Sequence, residues 1–142
     1  MAGVRPLNNR YGISDRKYKL IRAYCQMYPE WKEQVVLEGY STVKSHVLTG
    51  MPAAQGNGDA TSNRAQLMSE YNTKIKLVED TVREVIGKDV GMYRYLLEYV
   101  TEPGTTFHYL KHEGMPCEKT HFYKLAHRFY IRMDRKLSYH TK

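Results

Sequence analysis

The chain is poor in the features that mark secreted, membrane-spanning and catalytic proteins. It has only two cysteines, Cys25 and Cys117, far apart in sequence, so no disulfide framework is expected and a reducing cytoplasm is the simplest setting. No apolar run approaches the roughly 20 residues that a membrane-spanning helix needs. The opening MAGVRPLNNRYGIS lacks the apolar core of a secretion signal, and no membrane partner is expected. Catalytic patterns are equally scarce. No glycine loop follows a strand pattern, no Ser-His-Asp order emerges, and the acids are scattered through the middle of the chain. The expectation is a protein that is not an enzyme and carries no cofactor. The thirteen tyrosines fall mostly on apolar helical stripes, where they read as core aromatics with a wet hydroxyl rather than as nucleophiles.

What the sequence does have is charge, unevenly placed. The net charge is +7 over 142 residues, which is enough chain for one domain with a modest core, or a small domain with a helical extension. Residues 1–24 hold six Lys or Arg against one acid, residues 25–102 hold eight against eleven, and residues 103–142 hold eight against three. Two basic ends around an acidic centre suit a phosphate-facing surface with a separate assembly module. An anionic membrane fits less well, because neither basic end has a broad apolar face opposite its charges.

Periodicity places helices throughout and strands nowhere. The first thirteen residues read as a flexible basic arm. Ser14 offers an N-cap, and Tyr18, Ile21, Cys25 and Tyr28 form one stripe of a helix from Asp15 to about Tyr28. Pro29 suits the first turn of a second helix that runs to about Ser45, with Trp31, Val35, Val36, Tyr40, Val43 and Val47 as an apolar face in broken register. LTGMPAAQGNGDATS, residues 48–62, loses all periodicity and reads as a linker. Ser62 or Asn63 then caps the longest helix, from Arg64 to about Ile86. Its Met68, Tyr71, Ile75, Val78, Val82 and Val85 recur in a heptad rhythm that fits either a homodimeric seam or an antiparallel partner within the chain. Gly87 ends it. A helix over Asp89–Val100 points Val90, Tyr93, Leu96, Leu97 and Val100 inward. Thr105 or Thr106 restarts the chain in a short helix with Phe107 and Leu110 inside, closing at Gly114.

The last helix, expected to run to about Ser138, draws the functional reading. After Pro116, Cys117 occupies the capping position and Glu118 the first turn. Phe122, Leu125, Ala126, Phe129 and Met133 share one sector of the helical wheel and must pack on the preceding helices. The opposite sector holds Thr120, Lys124, His127, Arg128 and Arg135, flanked by His121 and Tyr123. These are donors and stacking groups suited to base edges and phosphates. A short helix, a glycine turn and a basic helix follow the order of a helix-turn-helix, with Arg132, Arg135 and Lys136 further along, toward phosphates or solvent. Ile131 on the outward side has no role in that scheme. The fold expected is therefore all-α: a helical bundle with a long central helix and a C-terminal helix-turn-helix. The domain division is 1–47 for the arm and N-terminal helices, 48–62 for the linker, and 63–142 for the long helix with the DNA-binding region.

The chain resembles the RinA and ArpU type of phage late-gene transcriptional regulators and, more loosely, the fourth region of sigma factors. The resemblance lies in Tyr28-Pro29-Glu30-Trp31, a Gly/Asn-rich middle, the long helix from Arg64 to Ile86 and the Leu96-Leu97-Glu98-Tyr99 helix. It continues in the ending Glu118-Lys119-Thr120, Phe122-Tyr123-Lys124 and Arg128-Phe129. Two positions depart from the pattern: Cys117 stands where a Ser cap is usual, and His121 is an added residue that rotates the remainder of the helix. The resemblance implies a small helical protein that binds promoter double-stranded DNA and activates late phage genes, with host RNA polymerase as protein partner. It puts Lys119, Thr120, Tyr123, Lys124 and Arg128 at the DNA-contacting positions.

Other readings fit the same residues. A phage protein-interaction module, an assembly adaptor or a host-factor inhibitor, would dock the basic helix on an acidic partner. Small-terminase-like DNA recognition lies between the two. His108, His112, Cys117 and His121 include metal-binding residue types, but their spacing matches no compact zinc module and the ligands would have to fold back across the turn. Cys117 at a helix N-terminus is also placed where a thiol pKa can fall, but it has no resolving Cys or base beside it in the sequence.

Overall fold

The computed structural model describes residues 13–48 and 58–140, with side chains described for 13–39 and 62–138. The remainder of the expected basic arm and the core of the expected linker, 49–57, lie outside the described residues. Among the described residues the protein is all-α: α1 (Asp15–Gln26), α2 (Tyr28–Leu48), α3 (Gly58–Ile86), a short 3-10 turn (Val90–Met92), α4 (Tyr93–Thr101), α5 (Phe107–His112) and α6 (Lys119–His140). No strand occurs among them. The chain divides into two compact units. One is Tyr28–Leu77, and the other joins the described part of Met1–Met27 to Val78–Lys142. This division cuts through α3 rather than at the expected 48–62 linker.

Several helix ends are set directly by local chemistry. The Ser14 hydroxyl accepts the Lys17 N–H at 3.1 Å, and Asp15 in the first turn complements the helix dipole. Thr106 caps α5 in the same way, accepting the Tyr109 N–H at 3.1 Å. Other ends differ from expectation. Ile13, assigned to the arm, is buried. α3 starts at Gly58, ahead of the expected Arg64, so Ser62 and Asn63 lie inside the helix rather than capping it. Small polar residues made this stretch look like a loop, but residues 58–63 contain no proline to stop a helix propagating backwards from its anchored half.

In the Tyr28–Leu77 unit, α2 and the first part of α3 run antiparallel. The Lys74 ammonium stands 5.5 Å from the centre of the buried Trp31 ring, and seven residues along α2 the Glu38 carboxylate meets Arg64 at 3.6 Å. Val35 is half-buried on the Trp31 side, whereas Val36 is 65% exposed. Among the described residues the apolar face read as one broken register therefore divides, with Trp31 and Val35 on one side and exposed Val36 on another.

In the other unit α1 packs on α4 and α6, and α4 packs on α6. Val78, Val82, Leu96, Leu110, Phe122, Phe129 and Met133 are fully buried. Each such side chain contributes about 1.5–3 kcal/mol relative to exposure. Ile75, Val78, Val82 and Val85 are buried within the single chain, while Met68 and Tyr71 are half-buried. Most of the Met68 to Val85 stripe is therefore covered within the single chain. Val90, expected inside, is 75% exposed. The chain turns through a 3-10 helix there, which shifts the register and buries Met92 and Tyr95 instead.

Between α1 and α6 lies a tyrosine cluster. The rings of Tyr18 and Tyr130 meet edge to face at 4.9 Å, and Arg22 donates to the Tyr18 hydroxyl at 3.2 Å. Burial tends to lower the Arg22 pKa, but the phenol oxygens of Tyr130 and Tyr18 outweigh it and hold the guanidinium above its ordinary value. Burial pushes Tyr99 up to about 12 and Tyr130 well above its ordinary range, and it raises the Cys25 thiol as well. The Tyr130 hydroxyl is buried without a hydrogen-bond partner among the described residues.

These phenols make the fold sensitive to alkali. In the unfolded chain they ionise near 10.0, whereas in the folded protein they keep their protons to higher pH. Their contribution to stability is complete below the unfolded value and is lost as pH rises through about 12. Thermal melts from pH 9 upward should show a falling Tm, and Tyr130→Phe should reduce that fall while leaving Tm at neutral pH unchanged or higher, since it removes an unsatisfied hydroxyl. A neutral-pH loss of more than about 2 kcal/mol in this variant would show instead that the hydroxyl is hydrogen-bonded.

Candidate nucleic-acid interface

α6 is seated by a defined turn. The N–H of Met115 bonds to the Leu110 carbonyl and that of Gly114 to the Lys111 carbonyl, both at 3.1 Å, with Gly114 at φ 105°. This is a Schellman ending for α5, completed by burial of both Leu110 and Met115 in the core. The Lys111 ammonium then reaches across the turn and donates to the carbonyls of Cys117, at 3.0 Å, and Met115, at 3.4 Å. The order of elements is that of a helix-turn-helix, with residues 113–118 between the helices, a longer turn than the roughly three to four residues of the shortest such motifs.

The start of α6 differs from expectation by one residue. The first helical hydrogen bond, from the Phe122 N–H at 2.9 Å, goes to the Glu118 carbonyl, so Glu118 occupies the capping position. Cys117 is instead buried before it, with its thiol 3.5 Å from the Glu118 carbonyl oxygen. Burial, reinforced by Asp89, raises that thiol's pKa although Lys111 opposes it. This reverses the low-pKa cysteine considered from sequence: the ammonium nearby is committed to carbonyls, and desolvation dominates.

The inward sector of α6 is as expected. Phe122, Leu125, Ala126, Phe129 and Met133 are all buried. The Phe122 ring lies 4.8 Å from Tyr99 of α4 and 5.7 Å from Phe107 of α5. Tyr130, which sequence reasoning missed, is buried beside Tyr18 on α1. Its position one step beyond the apolar sector on the helical wheel was the available signal.

The seven residues proposed from sequence separate into two groups. Lys119, Thr120, His121, Lys124 and Arg128 are exposed. Thr120, Lys124 and Arg128 recur at intervals of four, so they form one outward stripe that half-buried Ile131 and exposed Arg135 extend. Tyr123 and His127 are half-buried at the rims. The Tyr123 ring belongs to the aromatic cluster, 5.4 Å from Phe122, 6.2 Å from Phe107 and 6.4 Å from Tyr99.

The cations of α6 also divide. Arg132 and Lys136, expected to face phosphates or solvent, are held by α3: Arg132 meets Glu84 at 3.3 Å, and Lys136 meets Glu84 and the buried Thr81 hydroxyl at 2.9 Å each. Asp134 pairs with Lys17 of α1 at 3.5 Å. By contrast Lys119, Lys124, Arg128 and Arg135 form no ion pair with any described residue. Uncompensated positive charge is thus concentrated on the outward stripe of the helix. His108, His112 and His121 are exposed while Cys117 is buried, and among the described residues no three His, Cys, Asp or Glu side chains come together as a metal site. Also among the described residues, no helix is long and apolar enough to cross a membrane.

A Cβ at Gly114 would stand 3.6 Å from the Tyr95 hydroxyl, an ordinary separation, so substitution there is penalised by backbone conformation and not by crowding. Gly114→Ala should lower stability by about 1–3 kcal/mol in thermal or denaturant unfolding. An unchanged midpoint would mean that the turn does not depend on this positive φ.

Compared with known proteins, the chain matches no protein-family model, no curated protein and no solved structure.

Proposed function

We propose that this protein binds double-stranded DNA through the outward stripe of α6 and acts as a phage or prophage transcriptional regulator, an activator of late genes that works with host RNA polymerase. The observation that carries the reading is the set of unpaired, exposed cations Lys119, Lys124 and Arg128 around Thr120 and His121. They stand on a long helix whose opposite side is locked into a core. A helix fixed in this way presents its side chains to a groove in one orientation, which base readout requires and a solvated basic surface does not. Thr120 and Lys124 lie in the N-terminal half, the part that enters the major groove in helix-turn-helix proteins. The resemblance to late-gene regulators supplies the biological setting and the polymerase partner. The protein-interaction reading uses the same cations against an acidic protein surface. The half-burial of Tyr123 makes it a support for Phe122 and Phe107 in either case.

Selection from a randomised duplex pool, followed by titration across a salt series, tests the proposal. Affinity should fall steeply with salt. Lys124→Ala with Arg128→Ala should flatten the slope of log K against log salt by up to about 0.9 for each phosphate left without its cation, and weaken binding by roughly tenfold or more, with unfolding unchanged. Glu84→Gln, which releases Arg132 and Lys136, should steepen the slope. If no duplex is enriched and affinity ignores Lys124 and Arg128, the DNA reading fails and the interaction module replaces it.

A further inference from the structure

We propose that the rim of α6 facing α1 and α4 carries an oxyanion site, built on Arg22 with the hydroxyls of Tyr18 and Tyr99, and that its occupant is a backbone phosphate of the duplex held by α6. The identity of the occupant rests on the DNA reading, whereas the site rests on donors that the protein leaves without acceptors. Arg22 is half-buried on α1, and its one hydrogen bond among the described residues runs from Nη1 to the Tyr18 hydroxyl at 3.2 Å. No described carboxylate pairs with it, and the fourteen residues ahead of α1 contain no Asp or Glu that could. A guanidinium drawn partly out of water without a counter-ion is unfavourable for folding, and its planar fork suits the oxygens of a phosphate.

The surroundings of Arg22 are phenols from three helices. Tyr99 of α4 lies within electrostatic reach of Arg22, Tyr18 and Tyr123, and its ring stands 6.4 Å from that of Tyr123. Tyr18, Tyr99 and Tyr123 are all half-buried, so each keeps some surface in solvent, while the Tyr130 hydroxyl beside Tyr18 is buried without a partner among the described residues. The hydroxyls of Tyr99 and Tyr123 bond to no described residue. Burial keeps Tyr99 protonated far above neutral pH, so it remains a donor. The Tyr18 hydroxyl accepts from Arg22, which leaves its own proton to donate. A fixed positive charge with surplus donors fits an oxyanion and repels a cation.

Position selects the source of the phosphate. Tyr123 adjoins Lys124, which lies in the outward stripe, so the site flanks the side of α6 proposed to enter the groove. Elements flanking a groove-bound helix meet the strand backbone, and such contacts fix register without reading sequence.

Arg22→Gln and Tyr99→Phe test the inference. Both variants should melt no lower than the unaltered chain, since each removes a group that the fold leaves unsatisfied. With a duplex selected from the random pool, Arg22→Gln should weaken binding by about threefold to tenfold, flatten the slope of log K against log salt by up to about 0.9 and leave the preferred sequence unchanged. Tyr99→Phe should weaken binding by roughly threefold, the effect of one hydrogen bond. Duplex binding whose strength and salt slope ignore Arg22→Gln overturns the proposal. An altered preferred sequence also overturns it, because Arg22 would then be a base contact, and a lowered melting temperature in Arg22→Gln would mark the arginine as structural. A second measurement needs no DNA: inorganic phosphate, against chloride at equal ionic strength, should raise the melting temperature of the unaltered chain more than that of Arg22→Gln. If the unaltered chain binds no duplex and this difference is present, the DNA reading falls and the site stands with free phosphate as its ligand. If the chain binds no duplex and the difference is absent, both fall.

Discussion

Burial of one face of α6 is the constraint on which the rest of this structure depends. Phe122, Leu125, Phe129, Tyr130 and Met133 give the helix a continuous apolar row, and α1 and α4 both pack against α6. Without that row α6 would be a basic amphipathic segment with no fixed rotation about its axis. With it, every outward side chain has a direction. The polar clamp from Thr81 and Glu84 to Lys136 and Arg132 secures the far half, and the Gly114 turn with its Lys111 brace sets the near end. Ion pairs at such exposure add little energy individually, so their part is to fix orientation while the aromatic row supplies most of the stability.

The same arrangement sorts the positive charges by task. Cations near α3 are neutralised by Glu84 and serve the fold, whereas Lys119, Lys124, Arg128 and Arg135 remain unpaired among the described residues. The net charge of the chain states only that a polyanion is an attractive partner. Within α6, the pairing pattern leaves positive charge unneutralised by described residues at Lys119, Lys124, Arg128 and Arg135. In the proposed DNA complex the outward stripe of α6 supplies contacts, while Tyr123 acts from behind by holding Phe122 and Phe107 in place.

Much of the fold was legible because its signals are local. Ser14 and Thr106 cap by side-chain geometry within one turn, Gly87 and Gly114 end helices through positive φ, and Phe122 to Met133 declare a buried face by spacing alone. Expectation and structure part where longer-range packing decides. The early start of α3 depends on an anchored helix extending through residues with weak helical preference. The exposure of Val90 depends on a 3-10 turn that breaks the period. The split of the α2 face could not be read because Trp31 and Val36 differ by their neighbours, not by their type. In the candidate site the exposed cations were visible in the sequence. Which of them an acid would neutralise was not, since Glu84 lies far from Arg132 and Lys136 along the chain.

The two cysteines take no part in the chemistry of the fold, yet they occupy informative places. Cys25 lies in the α1 core and Cys117 at the entrance to α6, and both thiols are sheltered from solvent and suppressed as thiolates. A thiol reagent can reach either one only when the protein opens locally. The molecule therefore carries two internal clocks: the rate at Cys117 times the loosening of the turn that seats α6, and the rate at Cys25 times the parting of α1 from its core.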